Sequence, residues 1–277
     1  MINMRPTVVA GSFYPFSADD IKNMLDSFSI NAQIQPKKAY GVVAPHAGYI
    51  YSGATALLSI SSIDYENIDT VILIGPNHTG MGKNVSVSFD DWETPLGVMK
   101  NDKQLSDKLV EKSSVAEHDE TAHSREHSIE VELPILQYIL EKRNQKVKIV
   151  PICMLDQSMS ISEKLAKDII EVVKELGRKI VIIASSDCSH YVPADWAEKH
   201  DRIAIGYLLQ GDSAGFNRAR IENELSICGY GPITVLATIS SISGFVGAEL
   251  LRYTHSGVVT GDYTEVVGYA AIRFLKP

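Results

Sequence analysis

The chain has 277 residues, 45% hydrophobic and 22% charged, the proportions of a soluble globular protein that can bury a core without covalent staples. Its net charge of −8 and its thinly spread 26 basic residues leave no phosphate-tracking patch, which excludes nucleic acid as an expected partner. Three cysteines do not make a disulfide framework, and no apolar run approaches the roughly 20 residues of a membrane span.

The amino terminus, MINMRPTVVAGSFYP, is too short and polar for a signal peptide, so the expected setting is the cytoplasm, with no membrane contact. No repeat or linker interrupts the sequence, and residues 1–277 are expected to form one domain. The first strand expected is Tyr40–Ala44, and the overlapping GVVAPH ends in His46. Thr70–Ile74 follows, and the overlapping VILIGPNH ends in His78. Asn84–Phe89 is the third strand, and WETPLG after it reads as a strand-edge turn punctuated by Pro95 and Gly97. Trp92 is expected to pack, and KSSVAEHDE to be a solvated loop.

HSREHSIEVELP, residues 123–134, then fits the H-x-x-E-H pattern of one class of zinc peptidases. That reading needs His123 and His127 one turn apart on a buried helix, with Glu126 as base. The preceding AEHDETAHSRE offers no apolar stripe, and Pro134 would break or kink a helix through both histidines. The spacing of Leu133, Leu136 and Leu140 predicts a helix starting near or after His127. His127 and Glu130 then face a pocket, and His123 lies in a solvated loop.

Val147–Cys153 is the next strand, followed by a helix over Ile161–Leu176 stopped by Gly177. Lys179–Ala184 is a further strand, leading through VIIASSDCSH to Asp187 and His190. Helices are expected over Ala194–Leu209 and Pro232–Ser241, and VVGYAAIRFL reads as a final strand. Continuous apolar strands alternating with helices predict an α/β layered domain with a central, largely parallel sheet covered on both faces.

Three strands deliver imidazole to the carboxyl edge of that sheet, where open α/β sheets bind ligands. Two histidines and one further donor make a metal site for iron, copper or zinc. Cys228 in the turn-rich SICGYGP, Asp187 and Glu130 are all candidates for the third donor. Cys153, inside an apolar strand, reads as a buried small hydrophobe, whereas Cys188 stays undecided. Tyr49 and Tyr51 either reach the pocket or pack, and Arg125 and Arg252 read as surface residues.

RPTVVAGSFYP, GVVAPHAGYIYSGATA, ILIGPNHTG, DDWETPLG, EHSIEVELPILQ, ASSDCSHY, CGYGP and THSGVVTGDYTEVVGYAA together resemble the Memo family. That family takes in the mediator of ErbB2-driven cell motility and the AmmeMemoRadiSam system protein B. The resemblance runs from about Arg5 to Phe274. It implies the α/β/α fold of the class III extradiol ring-cleaving dioxygenases, which hold Fe(II) with two His and one Glu. By motif, it implies metal ligation by His46, His78 and Cys228, with Fe(II) or copper ahead of zinc. It places His190 as the acid/base, with Asp187 and His127 lining the same pocket. A thiolate in place of the carboxylate softens the site and weakens the step from fold to ring cleavage. Three functions follow: a metal-dependent oxidoreductase, a peptide-binding adaptor that reuses the pocket, and a metal-handling protein. The expected partners are a small molecule or peptide in the strand-end pocket, and other proteins.

Overall fold

The computed structural model describes residues 4–29 and 34–277. In chain order the strands are β1 (Met4–Arg5), β2 (Ala39–Ala44), β3 (Thr70–Pro76), β4 (Val85–Val87), β5 (Asp91–Thr94), β6 (Gly97–Met99), β7 (Glu117–His118), β8 (Lys148–Met154), β9 (Ile180–Ser185), β10 (His190–Val192), β11 (Ala248–His255) and β12 (Val266–Leu275). The helices are α1 (Ala18–Ser29), α2 (Ala54–Ser61), α3 (Lys103–Lys112), α4 (Glu132–Lys142), α5 (Met159–Leu176), α6 (Ala194–Leu209), α7 (Ser213–Glu222), α8 (Tyr230–Ile242) and α9 (Gly257–Thr260). A π-helical turn, Tyr49–Gly53, precedes α2. None of these helices is long and apolar enough to cross a membrane.

The central sheet runs β10-β12-β2-β9-β3-β8-β4-β7, with β11 on β12. Its heart, β2-β9-β3-β8, is parallel. The flanks are mixed: β12 runs antiparallel to β2, β4 to β8, and β11 to β12, while the short β7 is parallel to β4. The expected parallel character therefore belongs mainly to the four inner strands. Those strands are buried throughout except at Lys148 and Ile180, because both faces are covered. Alternate residues supply two cores. Val43, Ile72, Ile74, Ile152 and Ile182 face α3, α5 and α8, while Val42, Leu73, Ile149, Val181 and Ile183 face α1, α2 and α4.

Element boundaries follow local chemistry. α5 ends at Gly177, whose φ of 64° is the left-handed conformation that only glycine adopts without strain. DDWETPLG forms β5 and the first residue of β6 in a small second sheet, turning at Pro95–Leu96, and Trp92 is fully buried. KSSVAEHDE is less solvated than expected. Glu117–His118 pairs with β4, and Glu120 accepts hydrogen bonds from the Phe89 backbone N–H (2.6 Å) and the Ser88 hydroxyl (2.7 Å).

Candidate metal centre

β2, β3 and β9 are parallel neighbours, so their carboxyl ends open on one edge of the sheet. His46 follows β2, His78 follows β3, and Asp187 follows β9. Cys228 comes from the loop before α8. The ligand atoms of His46, His78 and Cys228 all lie within 4.8 Å of one another. This loop approaches closely because residue 229 is glycine. A Cβ there would stand 2.3 Å from the Ser185 carbonyl oxygen.

Each histidine is held by the nitrogen that faces away from the others. His78 Nδ1 lies 2.9 Å from Glu126 Oε1. A carboxylate only accepts, so Nδ1 carries the proton and Nε2 is free. His46 Nδ1 lies 2.8 Å from Ser185 Oγ, whose own proton goes to the Ser128 carbonyl at 2.7 Å. Nδ1–H of His46 therefore donates, and its Nε2 faces Cys228 Sγ at 3.4 Å. Metal–nitrogen and metal–sulfur bonds of ~2.0 and ~2.3 Å at a tetrahedral angle span roughly 3.6 Å. The donors present thus fit a bound ion in chemistry and spacing.

The electrostatics suit neutral imidazole ligands. Burial, reinforced by the nearby His127, His78 and His190, holds the His46 pKa well below the usual range. Burial and the Asp187 charge push the Cys228 thiol up, while the Asp187 backbone N–H donates to Sγ at 3.1 Å and favours the thiolate. Burial raises the Asp187 carboxyl to about 7, against hydrogen bonds from backbone N–H groups, including that of His46 at 2.9 Å. Burial works against ionised Glu126, yet its bonds to His78 and to the Ser128 N–H hold it down at about 2.

Glu126, His78 and His127 also lie within ligand distance of one another. Glu126 nevertheless accepts from His78 Nδ1 and from the backbone N–H groups of His78, His127 and Ser128. With its acceptor positions filled, Glu126 orients His78 and the loop. His127 stacks on His78 with ring centroids 4.7 Å apart and meets His46 edge-on at 5.4 Å. Phe13 covers it at 4.7 Å. His190 Nδ1 faces the Ser226 carbonyl at 2.9 Å, so its Nε2 is the free nitrogen.

Two expectations fail. Glu130 does not face this pocket. It is fully buried and accepts from Arg5 Nη1 (2.7 Å), Tyr14 OH (2.7 Å) and the Val8 and Val9 backbone N–H groups. His123 is buried, not solvated. Its Nε2 lies 3.1 Å from the Ser86 carbonyl and its ring meets Trp92 edge-on. Residues 123–127 form no helix, and α4 begins only at Glu132, so the peptidase arrangement is absent. Cys153 and Cys188 are both buried. The sequence reading missed Ser185 and gave Glu126 only a peptidase role. Their positions beside Asp187 and His127 in ASSDCSH and EHSIE were the available signal.

The chain matches the Memo-like protein family over residues 5–273. It is 42% identical to a MEMO1 family protein of Methanosarcina barkeri over 97% of this chain and 99% of the relative. It is 39% identical to counterparts in Nitrosopumilus maritimus and Methanocaldococcus jannaschii, over 98% of this chain and 100% and 99% of theirs.

Proposed function

The chain belongs to the Memo-like protein family, and from that premise we propose a metal-dependent redox protein. His46, His78 and Cys228 would hold iron or copper and act on a small molecule in the strand-end pocket, in the cytoplasm. One observation carries the reading: three donors from separate elements converge within 4.8 Å, each histidine presenting a free Nε2.

Bound there, the ion would supply one-electron chemistry and Lewis acidity. The chain's own residues do the rest. Ser185 and Glu126 fix the imidazoles of His46 and His78, so binding needs no tautomer search. Burial pushes the His190 pKa below its usual value, which leaves Nε2 a base near neutral pH. It takes a substrate proton while Nδ1–H stays on the Ser226 carbonyl. The Asp187 carboxyl, poised near 7, receives or returns a proton beside the thiol. His127, stacked on His78 and packed against Phe13, walls the pocket.

Metal analysis of anaerobically purified protein tests this. His46→Ala and Cys228→Ser are expected to lose a near-stoichiometric ion that His123→Ala, if folded, retains. His190→Ala should keep the ion and lose turnover. Equal metal in Cys228→Ser and the parent protein would sink the ligand assignment.

A second reading has its own observation. Phe16, just before α1, and Tyr191, in β10 beside His190, are each 74% exposed. Exposed aromatics suit a peptide or protein partner, as in an adaptor. Pocket and rim variants would then lose a partner whether or not metal is present. Metal exchange without turnover would instead mark a metal-handling protein.

A further inference from the structure

The strand-end site uses one edge of the sheet. At the opposite edge, α5 and α8 part over the amino ends of β2 and β9. A cavity of about 430 Å³ opens there, within the ~300–1,000 Å³ range of small-ligand sites. Six-residue strands place it about 20 Å from the histidine–cysteine cluster.

Its walls are aliphatic: Ile170 and Val173 from α5, Ile239 from α8 and Ile180 from β9, with Tyr40 beside them. Four cations line it, Lys174, Arg178, Lys179 and Lys276, and no carboxylate does. The nearest acids lie on the far side of Lys179 and Lys276, where Asp64 and Glu66 line an adjoining cavity and Asp69 accepts from the Lys179 backbone N–H. Arg178 is already engaged by Asp102 at 3.1 Å and Gln104 at 2.8 Å. Among the described residues no ion pair takes up Lys174, Lys179 or Lys276. Lys276 rests over the Tyr40 ring at 5.7 Å. The helix dipole explains Lys174 in the last turn of α5. It does not explain Lys179 and Lys276, which come from the β9 and β12 ends.

We propose that this cavity binds an amphipathic anion, an aliphatic chain carrying a compact carboxylate or phosphate-monoester head. The chain would lie between α5 and α8, displacing water from apolar walls, and the head would take the three unpaired ammonium groups. Three like charges around one opening repel each other and gain from a shared counter-charge. The proposal does not depend on the metal reading.

Amide chemical-shift titration of the full chain with decanoate, decyl phosphate, decanol and inorganic phosphate tests it. Decanoate or decyl phosphate should shift amides at 169–180, 239–243 and 276 saturably, and the tighter of the two identifies the head. Lys174→Glu/Lys179→Glu, both on the surface, should weaken that binding at least 10-fold with metal content unchanged. The proposal is overturned if decanol binds as tightly as decanoate, if inorganic phosphate alone gives the same shifts, if the shifts map elsewhere, or if charge reversal leaves the affinity unchanged.

Discussion

At the scale of single residues, the groups behind the ligands decide how well the ligands work. Glu126 holds the His78 ring and three backbone N–H groups at once. Glu126→Gln replaces an acceptor with a donor on one side of that cluster. Metal affinity is expected to fall roughly 10- to 100-fold, the usual cost of losing such a partner. Chelator competition measures it; unchanged affinity would show that His78 needs no orienting carboxylate. Glu132 gives a pH test. It is fully buried, 3.3 Å from Ser185 Oγ, and burial raises its pKa well above the usual carboxylate value. A carboxyl raised on folding makes the folded state bind the proton more tightly. Stability is therefore retained below the unfolded pKa near 4.5 and lost as pH rises through the folded value. Glu132→Gln mimics the neutral acid. Denaturant titrations should show that it gains on the parent as pH climbs above ~4.5. Parallel curves across that range would mean Glu132 folds ionised.

At the scale of elements, a segment far from the ligands in sequence secures the loop that carries Glu126 and His127. Arg5, in β1, is 4% exposed. It reaches Glu130 at 2.7 Å, donates to the carbonyls of His123 (2.7 Å) and Glu126 (2.6 Å), and lies over Trp92 at 4.1 Å. Arg5→Ala leaves Glu130 buried and uncompensated, which should cost roughly 3–5 kcal/mol in denaturant unfolding. The exposed Arg125→Ala should stay within about 0.5 kcal/mol. Arg5→Lys keeps the charge but cannot serve two carbonyls and a carboxylate in one plane, so it should restore only part. A cost under about 1 kcal/mol for Arg5→Ala would mean that the segment merely covers the surface. This contact also marks what the sequence could show. Tyr40–Ala44, Thr70–Ile74 and Ala194–Leu209 were legible because burial on two faces or one stripe writes a local apolar pattern. The Arg5–Glu130 pair spans 125 residues and leaves no such pattern. Glu130 and His123 therefore looked like pocket and solvent groups, and both are buried structural ones. β11 was invisible for another reason. As a half-buried flank strand, AELLRYTH mixes polar and apolar residues without alternation.

At the scale of the molecule, four parallel strands set the strand-end donors at one edge, and the loop before α8 closes the set with Cys228. The histidines and Asp187 were legible at this scale, since each sits a fixed few residues past an apolar strand. Cys228 was not assignable from its own segment. It stood beside Asp187 and Glu130 as a candidate third donor until the family resemblance singled it out, and Gly229 packing against the Ser185 carbonyl is what brings it to the histidines. Because the donors come from well-separated parts of the chain, the unfolded chain offers no comparable site, and binding free energy becomes folding free energy. An ion present at 100 times its dissociation constant should add about 2.7 kcal/mol. At roughly 2–4 °C per kcal/mol for a chain of this size, the melting temperature should rise by ~5–10 °C. Calorimetry with and without added Fe(II) or Cu(I) measures the rise. Cys228→Ser should show little of it. Gly229→Ala should also lose most of it, because its Cβ would push the Cys228 loop off Ser185 although all three donor residues are retained. If Gly229→Ala gained as much from metal as the parent, the site would not depend on the sheet edge and the α8 loop meeting there. The three donors would then be neighbours without being a site.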